Sequence, residues 1–144
     1  MKTIGLIGGM SWESTVSYYR LINTAVKEKL GGLHSAKCVL YSVDFAEIGM
    51  LQQQGRWAEA TRVLVAAGQS VERAGADLVL LCTNTMHKVA EALQGSLHIL
   101  FQRGAEGIIL GCTELGLLTG ADDTRVPLFD TTRIHALAAV RYAL

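Results

Sequence analysis

The sequence predicts an α/β fold, a three-layer sandwich around a mainly parallel, flavodoxin-like sheet of about five strands. Short apolar segments typical of buried strands alternate along the chain with segments whose apolar residues recur at helical spacing. Fifteen glycines against one proline in 144 residues fit a fold with many tight turns between strands and helices. We expect the first strand to lie in the centre of the sheet, between the second and third strands.

The first predicted strand leads through a glycine turn into a helix. Residues 3–7 are mostly apolar, and Gly8-Gly9 after them supplies a tight turn. Ser11 can cap the helix that follows, with Ser14 as the competing choice. The helix ends at Gly31-Gly32, and its apolar residues at helical spacing are Val16, Tyr19, Ile22 and Val26.

Two more strands and one helix are predicted in the middle of the chain. Residues 37–43 are rich in β formers and end at Asp44. Residues 56–74 form a helix that Gly75 closes, and residues 78–82 form the third strand.

The last third of the chain predicts further alternation. A helix over residues 85–93 stops at Gly95, and residues 97–101 fit either a short strand or the end of a continued helix. We expect a strand over 108–112 and a loop over 116–124, then a strand over 126–129 and a helix over 133–142.

Composition excludes several classes of function. Thirteen basic and thirteen acidic residues cancel, with no basic stripe, so we expect neither nucleic acid nor a membrane surface as a partner. No apolar run approaches the roughly 18 residues that span a bilayer. Three cysteines without a disulfide-scaffold spacing indicate reduced thiols in the cytoplasm. The length fits a single domain over residues 1–144.

Two cysteines have matching surroundings. Cys82 and Cys112 each end an apolar run and are each followed by threonine, so each thiol is expected at the carboxyl end of a buried strand. Ligands bind at that edge of open parallel sheets. Two thiols there suggest a pair of acid/base groups, although a cysteine at a strand end is often a small buried hydrophobe. Their spacing fits no structural zinc pattern, so no metal site is predicted.

Five strings occur in order along the chain, and together they resemble the aspartate/glutamate racemase family, specifically its broad-specificity bacterial amino-acid racemases. The strings are residues 8–15 (GGMSWEST), 42–45 (SVDF), 82–88 (CTNTMHK), 111–114 (GCTE) and 129–131 (FDT). The resemblance implies a racemase without a cofactor, acting on amino acids and favouring acidic ones. It also implies two α/β lobes, with the active site between them and one cysteine on each lobe.

The resemblance also implies a role for individual residues. Cys82 and Cys112 would be the two catalytic bases, and Asp44 and Glu114 would tune or orient them. The substrate would contact Met10, Ser11, Gln52, Asn84, Thr85 and Thr113. From the residues alone, a helix starting near Thr85 would lower the pKa of the Cys82 thiol and offer donors to a carboxylate. The same reasoning leaves open that Gln52 is a solvated loop residue and that Asp44 is a helix cap.

The chain departs from the family between its two cysteines. They are thirty positions apart, about one βαβ unit, where family members carry most of a second lobe. Residues 1–99 resemble the family's first lobe and residues 104–144 its C-terminal segment, so most of the second lobe is expected to be missing.

The short spacing affects the geometry of catalysis. A carbon flanked by two sulfurs at reacting distance needs them roughly 7 Å apart and facing each other. Cysteines on nearby strands of one sheet would instead point the same way. We therefore expect a homodimer that brings Cys82 of one copy opposite Cys112 of another. The alternative is a shortened, catalytically impaired relative that folds and binds only a small carboxylate.

Overall fold

The computed structural model describes residues 1–83, 108–110 and 131–144. Within these residues the strands and helices follow the predicted order, except that two helices rather than one connect the second and third strands. The strands are β1 (Ile4–Gly8), β2 (Cys38–Ser42), β3 (Leu78–Leu81) and β4 (Ile108–Leu110). The helices are α1 (Trp12–Leu30), α2 (Phe45–Gln53), α3 (Trp57–Arg73) and α4 (Thr131–Ala143).

The described strands form one parallel sheet in the order β2-β1-β3-β4. Ile4 of β1 pairs with Cys38 on one side and with Leu78 on the other, so β1 is central as predicted. Leu81 of β3 pairs with Leu110 of β4. The parallel, flavodoxin-like α/β prediction is confirmed, whereas the predicted elements at residues 85–93, 97–101, 116–124 and 126–129 lie outside the described residues.

Helices cover both faces of the sheet, and alternate strand residues supply the two cores. One face packs against α2 and α3 through a cluster that includes Ile7, Ile48, Leu64, Val71 and Leu81. The other face packs against α1 and α4 through a cluster that includes Ile4, Leu6, Tyr18, Ile22, Leu80 and Val140. Burial of each large aliphatic side chain contributes about 1.5–3 kcal/mol, which fixes the strand register.

Helix α2 is absent from the sequence prediction, which places no element between Asp44 and residue 56. Asp44 caps this helix, and its buried residues Ile48 and Leu51 lie three positions apart. Nine residues give too few turns for a clear periodic pattern. The cap followed by this short apolar spacing is the signal that could have identified it.

The buried side of α1 also differs from the predicted one. Val16 and Tyr19, half of the predicted apolar stripe, are more than half exposed. The residues that face the sheet are Ser14, Thr15, Tyr18, Ile22, Ala25 and Val26. This buried side combines the large residues Tyr18, Ile22 and Val26 with smaller ones, and it packs against α4 as well as the sheet.

Candidate functional site

The carboxyl ends of β1, β2 and β3 are joined at one edge of the sheet. The N–H of Val43 donates to the carbonyl of Gly8 at 3.0 Å, and the N–H of Cys82 donates to the carbonyl of Ile7 at 2.9 Å. Each bond extends the strand pairing beyond the end of a strand. Residues 8–11, which we call the first turn, therefore lie between Asp44 and Cys82, at the edge where parallel sheets bind ligands.

The first turn requires glycine at two consecutive positions. Gly9 has a φ of +93°, and a Cβ there would lie 2.2 Å from the carbonyl oxygen of Val43. A Cβ on Gly8 would lie 2.4 Å from the hydroxyl of Thr15. Because these two residues have no side chain, the first turn approaches the end of β2 and the N-terminal end of α1 more closely than residues with a Cβ would allow.

Thr15 connects the first turn to α1. Its buried hydroxyl accepts a hydrogen bond from the Gly9 N–H at 2.9 Å and donates one to the Ser11 carbonyl at 3.0 Å. The sequence interpretation did not identify this residue. The sequence signal for this residue is a hydroxyl side chain four positions after the capping Ser11, in a helix that follows two consecutive glycines. The Gly9 N–H is occupied by this bond and is not free to bind a ligand.

Met10 and Ser11 have separate structural tasks within the first turn. Met10 is buried and packs in the same cluster as Ile48 and Leu51 of α2. Ser11 is the N-cap of α1, and its hydroxyl accepts from the Ser14 N–H at 3.4 Å. Ser11 rather than Ser14 is therefore the cap, as first predicted.

Asp44 and Gln52 lie at opposite ends of one helix, α2. Asp44 is exposed, and its Oδ1 caps α2 by accepting from the Ala46 N–H at 3.0 Å. The cap interpretation of Asp44 is thus confirmed. Gln52 lies in the last turn of α2 and is half-buried, so the reading of it as a loop residue is wrong.

The Cys82 thiol lies in the core rather than on an open surface. Its side chain is 0 % exposed and belongs to the cluster between the sheet, α1 and α4. Its sulfur lies 4.0 Å from the carbonyl oxygen of Leu80. Burial raises the pKa of this thiol well above its ordinary value, which is opposite to the lowering expected from a nearby helix start. Aliphatic surroundings solvate a thiolate poorly, so the protonated form is stabilised.

Cys38 provides an internal comparison for that thiol. It lies on β2, is partly buried, and packs against the same cluster as Cys82. Burial raises the pKa of the Cys38 thiol as well. No polar string follows Cys38 in the sequence, and its place in the strand matches the predicted packing role.

The remaining predicted site residues lie outside the described part of the chain. They are Asn84, Thr85, Cys112, Thr113 and Glu114. The pairing of Leu81 with Leu110 brings the strands that precede the two cysteines side by side. Both Cys-Thr strings therefore follow adjacent strands of the sheet.

Residues 1–83, 108–110 and 131–144 contain neither a candidate metal-binding group nor a candidate membrane-spanning helix. Within them, no three His, Cys, Asp or Glu side chains group as metal ligands would. Within the same ranges, no helix combines the length and apolar character of a bilayer span.

Comparison with known proteins gives a consistent result. The profile of the Asp/Glu/hydantoin racemase family matches residues 7–100. The structure is similar to that of a candidate Asp/Glu racemase from Yersinia pestis, with a TM-score of 0.84 and 36% identity over 99% of each chain. It is also similar to PH1733, an aspartate racemase homologue from Pyrococcus horikoshii OT3. That comparison has a TM-score of 0.79 and 23% identity over 99% of each chain, and it supports the fold.

Proposed function

Because this chain belongs to the Asp/Glu/hydantoin racemase family, we propose that it is a cofactor-independent amino-acid racemase that uses Cys82 and Cys112 as its acid/base pair. The observation that carries the proposal is the position of Cys82. It directly follows β3, and its backbone is bonded to β1 at Ile7, one residue before the first turn. The backbone of Cys82 therefore lies beside the turn that would receive the substrate, at the edge where parallel sheets bind ligands.

The proposed reaction exchanges one proton across the substrate α-carbon. A thiolate on one face breaks the Cα–H bond and takes the proton, which leaves the electron pair delocalised toward the substrate carboxylate. A thiol on the opposite face then donates its proton to Cα, and the configuration is inverted. Burial raises the pKa of the Cys82 thiol, so Cys82 would start the cycle protonated. Cys112 would then be the thiolate that begins the cycle in this direction.

The substrate proposed is a free amino acid, with aspartate and glutamate favoured. Met10, Ser11 and Gln52 would contact it from the described part of the site, and Asn84, Thr85 and Thr113 from the remainder. The start of α1 provides a positive helix end near the first turn, which favours a bound carboxylate. Asp44 and Glu114 would orient the reacting groups. The cytoplasm, where thiols stay reduced, is the proposed location.

A homodimer is part of the same proposal. Adjacent strands are about 4.8 Å apart and deliver their end residues side by side, whereas racemisation needs bases on opposite faces. Cys82 of one copy opposite Cys112 of a second copy would satisfy that requirement. Exposed apolar residues on α1, Trp12, Val16 and Tyr19, are available for such an association.

The second candidate function is binding without turnover. It is favoured by the complete burial of Cys82 between the sheet, α1 and α4, with a raised thiol pKa. In this state the sulfur does not meet a ligand at the strand ends. A chain shortened between its cysteines would then bind a small carboxylate at the first turn and leave its α-proton in place.

Exchange of the α-proton separates the two candidates. The chain is incubated in D2O with L-aspartate, L-glutamate and several neutral amino acids, and loss of the α-proton signal is followed by NMR. Chiral chromatography measures the D-enantiomer in the same samples. The racemase proposal expects exchange with formation of the D-enantiomer, and this inversion should disappear in Cys82→Ser and in Cys112→Ser and persist in Cys38→Ser. Carboxylate-induced shifts without exchange, from folded protein, would support binding alone.

A further inference from the structure

We infer that Thr15 is a positioning residue for the amino-acid site, acting through its hydroxyl on the first turn. This inference rests on the proposed racemase function and adds a residue to it. Thr15 is not placed to contact a substrate itself, because its side chain is buried against Gly8 and Gly9. Its effect would pass through Met10 and Ser11, the two turn residues proposed to contact the substrate.

The hydroxyl of Thr15 makes contacts on both sides of the turn. It accepts from the Gly9 N–H at 2.9 Å and donates to the Ser11 carbonyl at 3.0 Å. Met10 is the only residue between those two partners in the sequence. A single oxygen atom therefore fixes the backbone on both sides of a proposed substrate contact.

The packing around the hydroxyl leaves little freedom for another arrangement. A Cβ on Gly8 would lie 2.4 Å from the Thr15 oxygen, so the side chain fills the space that the glycine leaves open. Gly9 is held equally closely on its other side, against the carbonyl of Val43. The turn is thus enclosed between α1 and the end of β2. On the α1 side the Thr15 hydroxyl is bonded to the Gly9 N–H and shares the Ser11 carbonyl with the backbone N–H of Thr15, which donates to it at 3.3 Å.

Placement of a contacting residue strongly affects catalysis, because a shift of about 1 Å can lower the rate about a hundredfold. Valine has nearly the shape of threonine but cannot accept the Gly9 N–H. Serine keeps the hydroxyl and loses only a methyl group. The pair Thr15→Val and Thr15→Ser therefore separates the hydrogen bonds from the packing.

Ser17 provides a matched control on the same helix. Its hydroxyl donates to the Glu13 carbonyl at 3.2 Å, four residues earlier, as the Thr15 hydroxyl does to Ser11. It is not bonded to the first turn. A general effect of removing a hydroxyl from α1 would appear in Ser17→Ala, whereas a positioning effect would not.

The test measures kcat and KM for α-proton exchange, together with hydrogen exchange of the Gly9 amide, in the full-length chain. Thr15→Val is expected to lower kcat/KM about ten- to a hundredfold and to speed Gly9 amide exchange. Thr15→Ser and Ser17→Ala are expected to keep kcat/KM within about threefold of wild type. All four proteins are compared well below their unfolding temperatures.

The outcomes distinguish this inference from the proposed function. The positioning role would be overturned if folded Thr15→Val kept the kcat/KM of wild type. It would also be overturned if Ser17→Ala lost as much kcat/KM as Thr15→Val. Neither result would affect the racemase proposal. Absence of exchange in wild type would defeat the racemase proposal, and the catalytic claim for Thr15 with it. The Gly9 amide would still report whether the hydroxyl holds the turn.

Discussion

The backbone N–H of Cys82 donates to the carbonyl of Ile7 at 2.9 Å, which continues the β1–β3 pairing one residue beyond the end of β3. This bond fixes the direction of the Cys82 side chain, since successive residues of an extended strand point to opposite faces. Leu80 and Cys82 both face α1 and α4, whereas Leu81 faces α3. The thiol is therefore held in the core by the regular geometry of the sheet.

The burial of Cys82 predicts a loss of stability at alkaline pH. The pKa of the Cys82 thiol in the folded state is raised above the ordinary value of 9.0. The contribution of the buried, protonated thiol to the free energy of unfolding is therefore fully present below about pH 9. It is lost as pH rises, because the unfolded thiol ionises first. Each proton released only by the unfolded chain lowers the free energy of unfolding by up to about 1.4 kcal/mol per pH unit.

Urea unfolding of wild type and Cys82→Ala from pH 7 to pH 10.5 measures this effect. The difference between their free energies of unfolding should shrink above pH 9, since the alanine variant has no thiol at this position. The comparison cancels the titration of other groups, including Cys38. A difference that stays constant across the range would show that the Cys82 thiol titrates normally in the folded protein.

The conformation of Gly9 predicts a large penalty for alanine. A positive φ costs a residue with a Cβ roughly 1–2 kcal/mol, and the contact with the Val43 carbonyl adds a clash typical of overpacking, about 1–3 kcal/mol. Gly55 has a φ of +68° with open space around its would-be Cβ. We expect Gly9→Ala to lose about 2–5 kcal/mol of unfolding free energy and Gly55→Ala about 1–2 kcal/mol. Equal losses in urea melts would contradict the clash.

The sequence predicts the sheet well because strand burial has a local signature. Residues 78–82 and 108–112 are continuous apolar runs, and buried parallel strands have that composition. Their order in the sheet follows from the right-handed crossover rule and the flavodoxin-like pattern. The structure places β1 between β2 and β3 as this reasoning requires.

The candidate site is harder to predict because its chemistry depends on distant parts of the chain. The pKa of Cys82 is raised by burial, and residues of α4 such as Ala136 and Val140 belong to the cluster that buries it. They are more than fifty positions away in the sequence. The partners of Thr15, Gly9 and Ser11, are only six and four positions away, but its role depends on how the first turn folds back against α1, which residue types alone do not indicate. Cap residues such as Ser11 were found because capping is a local interaction.

Two substitutions of Asp44 separate the contribution of the helix cap to stability from that of the negative charge. Removing the cap in Asp44→Ala should lower the free energy of unfolding by about 1 kcal/mol, because the Ala46 N–H at the start of α2 loses its acceptor. Asp44→Asn keeps an oxygen acceptor without the charge and should lose a few tenths of a kcal/mol, the scale of a helix-dipole interaction. Thermal unfolding measures both variants. Equal losses in the two variants would mean that the charge, which both remove, matters more than the capping oxygen.

The two Asp44 variants also test its supporting role in the proposed reaction. If the carboxylate orients a reacting group, Asp44→Asn should lower the α-proton exchange rate while its stability stays close to wild type. An exchange rate equal to that of wild type would restrict Asp44 to capping α2.

Self-association is predicted to use one side of α1. Trp12, Val16 and Tyr19 are 64%, 53% and 51% exposed, and their spacing of four and three residues places them on one side of the helix. A charge on this side of α1 would be desolvated in a dimer but hydrated in a monomer. We therefore expect Val16→Glu and Tyr19→Glu each to weaken association at least tenfold, which corresponds to about 1.4 kcal/mol. Thr24 is exposed on a different side of α1, and Thr24→Glu is the control.

Sedimentation equilibrium over a range of protein concentrations measures the association constant for the wild type and these three variants. If the two thiols of the proposed pair come from different copies, α-proton exchange should fall in parallel with the dimer fraction in Val16→Glu and Tyr19→Glu. Dilution of wild type below its dissociation constant should reduce the specific rate in the same way. A monomeric variant with the full exchange rate would show that one copy flanks the substrate by itself, and the requirement for facing subunits would be wrong.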